Sequence, residues 1–215
     1  VVTVANGTLL DREAAASHGI TIRADSSDGS FSVQTFTISL TPVNDNPPVI
    51  TSNGGGATGS PSVAENSTAV TTVTVTDADL PGDTFTYSII GGADAALFSI
   101  DAGGSLTFNA APNVESPSDS GTDNVYDVQV QVSDGVNTDS QTLAITVTNV
   151  NEASVSAVSD SDASANVVAE NASNGTVVGI DALATDIDTS DTITYSLADA
   201  SGTLADAGGR FTINT

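Results

Sequence analysis

Cysteine, methionine, tryptophan and lysine are all missing from this 215-residue chain. Without cysteine there is neither a disulfide nor a thiolate metal site. The basic residues are Arg12, Arg23 and Arg210, set against 27 acids, for a formal net charge of −24. Such a chain lacks the cationic patches that nucleic acid and anionic membranes require, so neither is an expected partner. It suits a hydrated surface or a site that collects cations. Aromatic residues are only 4% of the total, too few for an obvious sugar-stacking platform. No run of 18 apolar residues occurs, the length a membrane-spanning helix needs, so membrane insertion is not expected. No signal-peptide pattern opens the sequence, and a window from the interior of a longer exported protein fits this.

What is present is threonine, serine, valine, aspartate and glycine. Side chains branched at Cβ suit pleated strands, while Asp, Asn and Gly supply turns. Val125–Val132 places Tyr126, Val128, Val130 and Val132 on one face, and Thr142–Thr148 does the same with Leu143, Ile145 and Val147. Val70–Val75 alternates from Val73. Phe31–Leu40 alternates with Phe31, Val33 and Thr35 on one face and Phe36, Ile38 and Leu40 across an expected register break. Asp28-Gly29, Gly91-Gly92, Gly103-Gly104, Asp134-Gly135 and Gly208-Gly209 punctuate these runs. No amphipathic helix is evident. The expectation is an all-β protein of sandwich type.

The sequence repeats itself. Val63-Ala-Glu-Asn66 returns as Val168-Ala-Glu-Asn171, 105 positions later. Asp77-Ala-Asp79 returns as Asp186-Ile-Asp188, Thr86-Tyr-Ser-Ile89 as Thr194-Tyr-Ser-Leu197, and Phe98–Asp101 as Phe211–Asn214. From the other end, Ser27-Asp-Gly29 matches Ser133-Asp-Gly135, and Thr41-Pro-Val-Asn-Asp-Asn46 matches Thr148-Asn-Val-Asn-Glu-Ala153. Residues 1–50 therefore read as the back part of a repeat, 51–153 as a complete one, and 154–215 as the front part of another. A partial sandwich exposes apolar faces and strand edges. The parts are expected to close on a neighbouring chain, on each other, or on further repeats of a longer array. The neighbour and array options imply a linear arrangement in which Thr215 of one unit approaches Val1 of the next, with residues equivalent to 1–50 completing 154–215.

The ordered set Val63-Ala-Glu-Asn66, Asp77-Ala-Asp79, Leu10-Asp-Arg-Glu13, Ser133-Asp-Gly135 and Val43-Asn-Asp-Asn-Pro-Pro48 resembles cadherin repeats in their bacterial, cadherin-like form. The resemblance implies tandem seven-stranded Greek-key (Ig-like) sandwiches arranged end to end, with Ca2+ at each junction. Calcium takes six to eight oxygens from carboxylates, amides and backbone carbonyls, more than any one loop here offers. Carried over by residue, the first junction would use Asp11, Glu13, Asn44, Asp45, Asn46, Asp77, Asp79 and Asp134, with Glu170 of a preceding unit supplying the opening glutamate. The second would use Glu65, Glu115, Asn151, Glu152, Asp186 and Asp188, completed by Asp28 of a following unit. It departs from the pattern: Asn113 replaces the first acid of Asp-Arg-Glu, and Asn-Glu-Ala replaces Asn-Asp-Asn.

His18 is the sole histidine. It is expected in a loop, with nothing to support a Ser-His-Asp triad. The acid pairs recur with the repeat, which argues against a glycosidase pair. Asn6-Gly-Thr8, Asn66-Ser-Thr68 and Asn171-Ala-Ser173 match glycosylation sequons at a frequency so Ser/Thr-rich a chain gives by chance. The functional expectation is a non-enzymatic, calcium-stiffened shaft of a secreted bacterial surface adhesin or filament, acting outside the cell with neighbouring copies or repeats of itself. The alternative is an adhesive module that binds surface polysaccharide or its own kind.

Overall fold

The computed structural model describes residues 1–79, 84–188, 191–199, 201–204 and 207–213. The repeat position at Asn214 and the terminal Thr215 lie outside them. The protein is all-β, with no α-helix among the described residues. It divides into two compact units, Val1–Pro112 with Ser118–Val147, and Asn113–Pro117 with Thr148–Thr215.

The first unit opens with β1 (Ser17–Asp25) and β2 (Phe31–Ser39), an antiparallel pair. Its register runs unbroken from Ser17 opposite Ser39 to Asp25 opposite Phe31, so the break expected in β2 is absent. Thr35 bridges the point instead, its hydroxyl 2.9 Å from that of Thr21. Regular alternation alone moves Phe36 and Ile38 to one face, beside Ile20 and Ile22, and Phe31 and Val33 to the other. His18 is in β1 opposite Ile38 rather than in a loop, because the strand starts earlier than the turn-rich sequence before it suggests.

There follow β3 (Val49–Ile50), β4 (Thr58–Gly59), β5 (Ser62–Ala64), β6 (Ala69–Thr72), β7 (Val75–Thr76), β8 (Thr86–Gly91), β9 (Phe98–Ile100), β10 (Ser105–Phe108), β11 (Val125–Ser133) and β12 (Thr138–Thr148). One sheet has the order β4-β12-β11-β8, with β5 also on β12; the other runs β6-β10-β9, and β3 pairs with β7. The run expected as one strand from Val70 splits into β6 and β7. Val73, 1% exposed, stands between them and donates its N–H to the Gly104 carbonyl at 2.8 Å. Burying Val73 swings the chain from one partner to the next.

The alternation read from β11 and β12 is the core. Tyr126, Val128, Val130, Val132, Leu143 and Ile145 are fully buried, each stabilising by about 1.5–3 kcal/mol. They face Phe98, Leu106 and Phe108 of the other sheet. The Tyr126 ring meets Phe108 edge-on at 5.1 Å and Phe98 at 6.4 Å. Its hydroxyl leaves the apolar layer to accept the Ser118 N–H at 3.2 Å.

The second unit is sparser. Its strands among the described residues are β13 (Ser159–Asp160) and β14 (Ala182–Leu183), paired antiparallel. Thr194–Leu197 forms no strand, although its twin Thr86–Ile89 begins β8.

Candidate metal centre

The segment Asn44-Asp-Asn-Pro-Pro48 runs from the β1–β2 hairpin into β3. Prolines 47 and 48 have no N–H to donate, and Pro48 is fully buried, which stiffens the exit. The N–H groups before them still need acceptors, and one side chain supplies these. Asp79 Oδ2 accepts from Asp45 N at 3.1 Å and Asn46 N at 2.8 Å, while Oδ1 accepts from Asn46 Nδ2 at 2.9 Å. Asp79 is fixed in turn by its own N–H, which donates to Asp77 Oδ1 at 3.0 Å.

The turn between β11 and β12 approaches from another side. Asp134 Oδ1 accepts from Val136 N at 2.7 Å and Asn137 N at 2.6 Å. Asn44 Nδ2 donates to the Asp134 carbonyl at 3.2 Å, and Asn137 Nδ2 to the Asn46 carbonyl at 3.3 Å. Each of these side chains thus spends one polar atom on fixing the loops. The remaining oxygens, Asn44 Oδ1, Asp77 Oδ2 and Asp134 Oδ2, are buried and accept no hydrogen bond. A buried carboxylate oxygen without a partner is unfavourable. Two such carboxylate oxygens and one amide oxygen around one linker are donors of the kind calcium takes, so the residues present fit calcium. Carboxylate oxygens of Glu13, Asp45 and Asp79 also come within 4.8 Å of one another.

The electrostatics agree. Hydrogen bonds from the Asn46 side chain and backbone hold the Asp79 carboxyl below its usual 3.8, against burial and the like charge of Asp134. Burial works against ionisation of Asp134, yet the N–H groups of Asn137 and Val136 outweigh it and the net shift is also downward. Both are therefore anions at neutral pH. Arg12 lies 4.0 Å from Glu13, the limit of an ion pair, and compensates little.

Asp11 has a supporting place: its Oδ1 caps Ala14 N at 2.9 Å and so shapes the turn that carries Glu13. In the second unit Asn113 caps Ser116 N at 2.8 Å in the same i, i+3 arrangement. The amide keeps the turn and drops the charge. The linker clamp also recurs there. Asp188, 1% exposed, accepts from Glu152 N at 3.2 Å and Ala153 N at 3.0 Å, and donates its own N–H to Asp186 Oδ1 at 3.2 Å. Within that unit, Glu115 and Glu152 bring carboxylate oxygens within 4.8 Å. Glu65 belongs to the first unit and is 2% exposed. Its twin Glu170 is exposed. Asp28 lies in the β1–β2 turn, where Ser30 N and Oγ donate to its Oδ1 at 2.9 and 2.7 Å, as Asp134 is held in the β11–β12 turn.

Three contributors escaped the motif reading. Asp191 joins Asp186 and Asp188 within 4.8 Å and accepts from Asn151 Nδ2 at 2.7 Å; the recurrence of Asp83-Thr84 as Asp191-Thr192 carried the signal. Asn137 binds the linker carbonyl as described. Asp139 accepts Ile50 N at 2.8 Å and anchors β3 to β12; nothing in its local sequence marks it.

Fold and site together define a class: cadherin-like β-sandwich domains with acidic clusters that resemble cadherin calcium sites. Residues 44–148 match the family model described as a bacterial Ig domain. Among curated proteins, cadherin-related family member 2 of Mus musculus is 32% identical over 117 residues, covering 52% of this chain and 8% of the relative. The fold is that of Protocadherin Gamma B2 extracellular cadherin domains 3-6, with a TM-score of 0.65 at 24% identity over 83% of this chain and 44% of that one. The Protocadherin gammaB7 EC3-6 cis-dimer structure gives 0.62 at 22% identity, over 83% and 44%. Mouse Cadherin-23 EC22-24 gives 0.52 at 24% identity, over 66% and 45%. The chain spans less than half the length of each. Domains of these kinds are non-catalytic and typically extracellular.

Proposed function

We propose that this chain is part of a calcium-rigidified shaft in a large secreted bacterial surface adhesin or filament. Its repeats, residues 1–50, 51–153 and 154–215, follow one another as segments of a linear array. The observation that carries the reading is the set of buried, unpartnered oxygens of Asn44, Asp77 and Asp134 around a proline-stiffened linker. Calcium bound there would be held by these three side chains with Glu13, Asp45 and Asp79. It would neutralise carboxylates that otherwise repel. Since the ligands come from the turn before β1, the linker and the following sandwich, one ion would restrain all three. Glu65, Glu115, Asn151, Glu152, Asp186 and Asp188 are the corresponding second set.

Calcium binds the folded form, so it raises stability by mass action, about 2.7 kcal/mol at a hundredfold excess over Kd for one site. The test pairs thermal unfolding with small-angle scattering, in calcium and in chelator. The expected outcome is a higher Tm and a longer, narrower distance distribution with calcium. Unchanged Tm and unchanged dimensions would refute the proposal. The adhesive alternative is less well supported. One cavity of about 260 Å3 is lined by Ala93, Asp94, Ser120, Gly121, Asp123, Val125 and Asp127, without an aromatic side chain on which a sugar would stack.

A further inference from the structure

Asn-x-Ser/Thr stretches are frequent by chance in this chain, but two of them are placed in an ordered way. Asn66-Ser-Thr68 and Asn171-Ala-Ser173 are twins, 105 positions apart, and each follows the repeated Val-Ala-Glu. The residue after the asparagine changes from Ser67 to Ala172, and the residue after the hydroxyl from Ala69 to Asn174. The hydroxyl position changes only from threonine to serine, which keeps the acceptor pattern, and neither intervening residue is proline.

Both asparagines have the same local structure. Their φ angles are 61° and 62°, in the left-handed region that asparagine visits more readily than other side chains. Asn66 lies between β5 and β6, where its backbone N–H donates to the Pro112 carbonyl at 3.0 Å. Asn171 lies in a turn closed by Ala172 N on the Ala169 carbonyl at 3.3 Å.

The turn accounts for an asparagine. It does not account for a hydroxyl two residues on, since Asn53 and Asn124 adopt φ of 51° and 63° with Gly55 and Tyr126 in that place. Thr68 and Ser173 serve the fold through their carbonyls, which accept from Phe108 N at 2.8 Å and Thr176 N at 3.1 Å. Among the described residues their hydroxyls make no hydrogen bond, and neither do the side-chain amides of Asn66 and Asn171. All four residues are exposed.

The same pattern occurs at Asn6-Gly-Thr8 and Asn174-Gly-Thr176, and there the hydroxyl is in use. Thr8 Oγ1 donates to Asn6 Oδ1 at 2.7 Å and Thr8 N to the same oxygen at 3.0 Å, so Asn6 caps the short turn Gly7–Leu9. Thr176 Oγ1 donates to the Ser173 carbonyl at 2.7 Å and tightens its own turn.

We propose that Asn66 and Asn171 are N-glycosylation sites, one in each repeat, while Asn6 and Asn174 are structural. The donor is a glycosyl diphosphate. The asparagine Nδ2 forms a bond to the anomeric carbon as the C–O bond to the diphosphate breaks. The diphosphate leaves with the electron pair, and a base on the transferase takes the amide proton. The transferase reads the hydroxyls of Thr68 and Ser173, which the fold leaves free. This goes beyond the calcium reading and does not depend on it.

The test is site-resolved peptide mass spectrometry, with electron-transfer fragmentation, of the full chain recovered from the cells that produce it. Sugar is expected on Asn66 and Asn171 and on neither Asn6 nor Asn174. Made in the same cells, Thr68→Ala should lose all sugar at Asn66 and keep it at Asn171, Ser173→Ala should do the reverse, and Thr68→Ser should keep both. Bare Asn66 or Asn171 in the unsubstituted chain would overturn the inference. So would sugar on Asn6 or Asn174, sugar on Thr68 or Ser173 themselves, or sugar on Asn66 that survives Thr68→Ala. Thermal unfolding of chains made by cell-free synthesis, which attaches no sugar, is the second measurement. Thr68→Ala should leave that Tm unchanged, and a fall would give the hydroxyl a structural role and remove the argument for the site.

Discussion

Asp79 has two tasks that pull on the same carboxylate. It organises the linker by accepting three hydrogen bonds from Asp45 and Asn46, and it adds negative charge beside Glu13 and Asp45. Asp134 divides the tasks between its oxygens: Oδ1 closes the turn, and Oδ2 is buried without a donor. Asp134→Asn therefore acts on metal more than on fold. The calcium-dependent part of the stability should fall by about 1.4 kcal/mol for each tenfold loss of affinity, while the Tm in chelator stays level or rises as repulsion is relieved. Calorimetry with and without calcium separates the two. A Tm in chelator that drops as far as the Tm in calcium would assign Asp134 to the fold alone.

Protonation follows the same residues. The folded values of Asp79 and Asp134 lie below the usual 3.8. The stability they confer is therefore complete above 3.8 and is lost as pH falls through the lower folded values. Carboxyl chemical shifts should titrate with midpoints below 3.8 for both residues. A midpoint at or above 3.8 for either one would remove the hydrogen-bond account given for it.

At the scale of elements, β11 is the organising strand. It carries four fully buried side chains and pairs with β12 and β8. Its bulge at Gln129/Val130 lies where β8 ends and the backbone of Gly92 presses against Asp127. Gly92 has φ of 106°, and a Cβ there would meet the Asp127 carbonyl oxygen and the Val128 Cα. Gly92→Ala should cost about 3 kcal/mol through backbone strain and steric overlap together. Chemical denaturation would measure it; a loss below about 1 kcal/mol would show that the β8–β9 connection can yield.

At the scale of the whole molecule, charge dominates. With 27 acids and three arginines, the chain repels itself, and monovalent salt shortens that repulsion to about 8 Å at physiological strength. Salt should then raise the Tm in chelator, and raise it less in calcium, where the linker acids are already compensated. Equal salt increments in both conditions would argue that calcium leaves those acids unpaired.

How much of this was legible in advance differs by level. The faces of β11 and β12 were readable because period-two alternation over nine or more residues leaves one arrangement that buries them. Asp-x-Asp was readable as a recurring motif, at Asp77-Ala-Asp79 and Asp186-Ile-Asp188, and both copies hold the linker backbone in the same way. Interruptions were not readable: the split at Val73 depends on the Gly104 carbonyl, and the unbroken β1–β2 register depends on a threonine pair, both contacts between residues distant along the chain. Sequence by itself determined the fold class, since composition and period-two spacing act locally along each strand. Only the tertiary structure decided which oxygens stay without donors, that Asp191 joins Asp186 and Asp188, and that Asn137 and Asp139 fasten the linker and β3. Those properties arise where separate loops meet, and no single stretch of chain contains them.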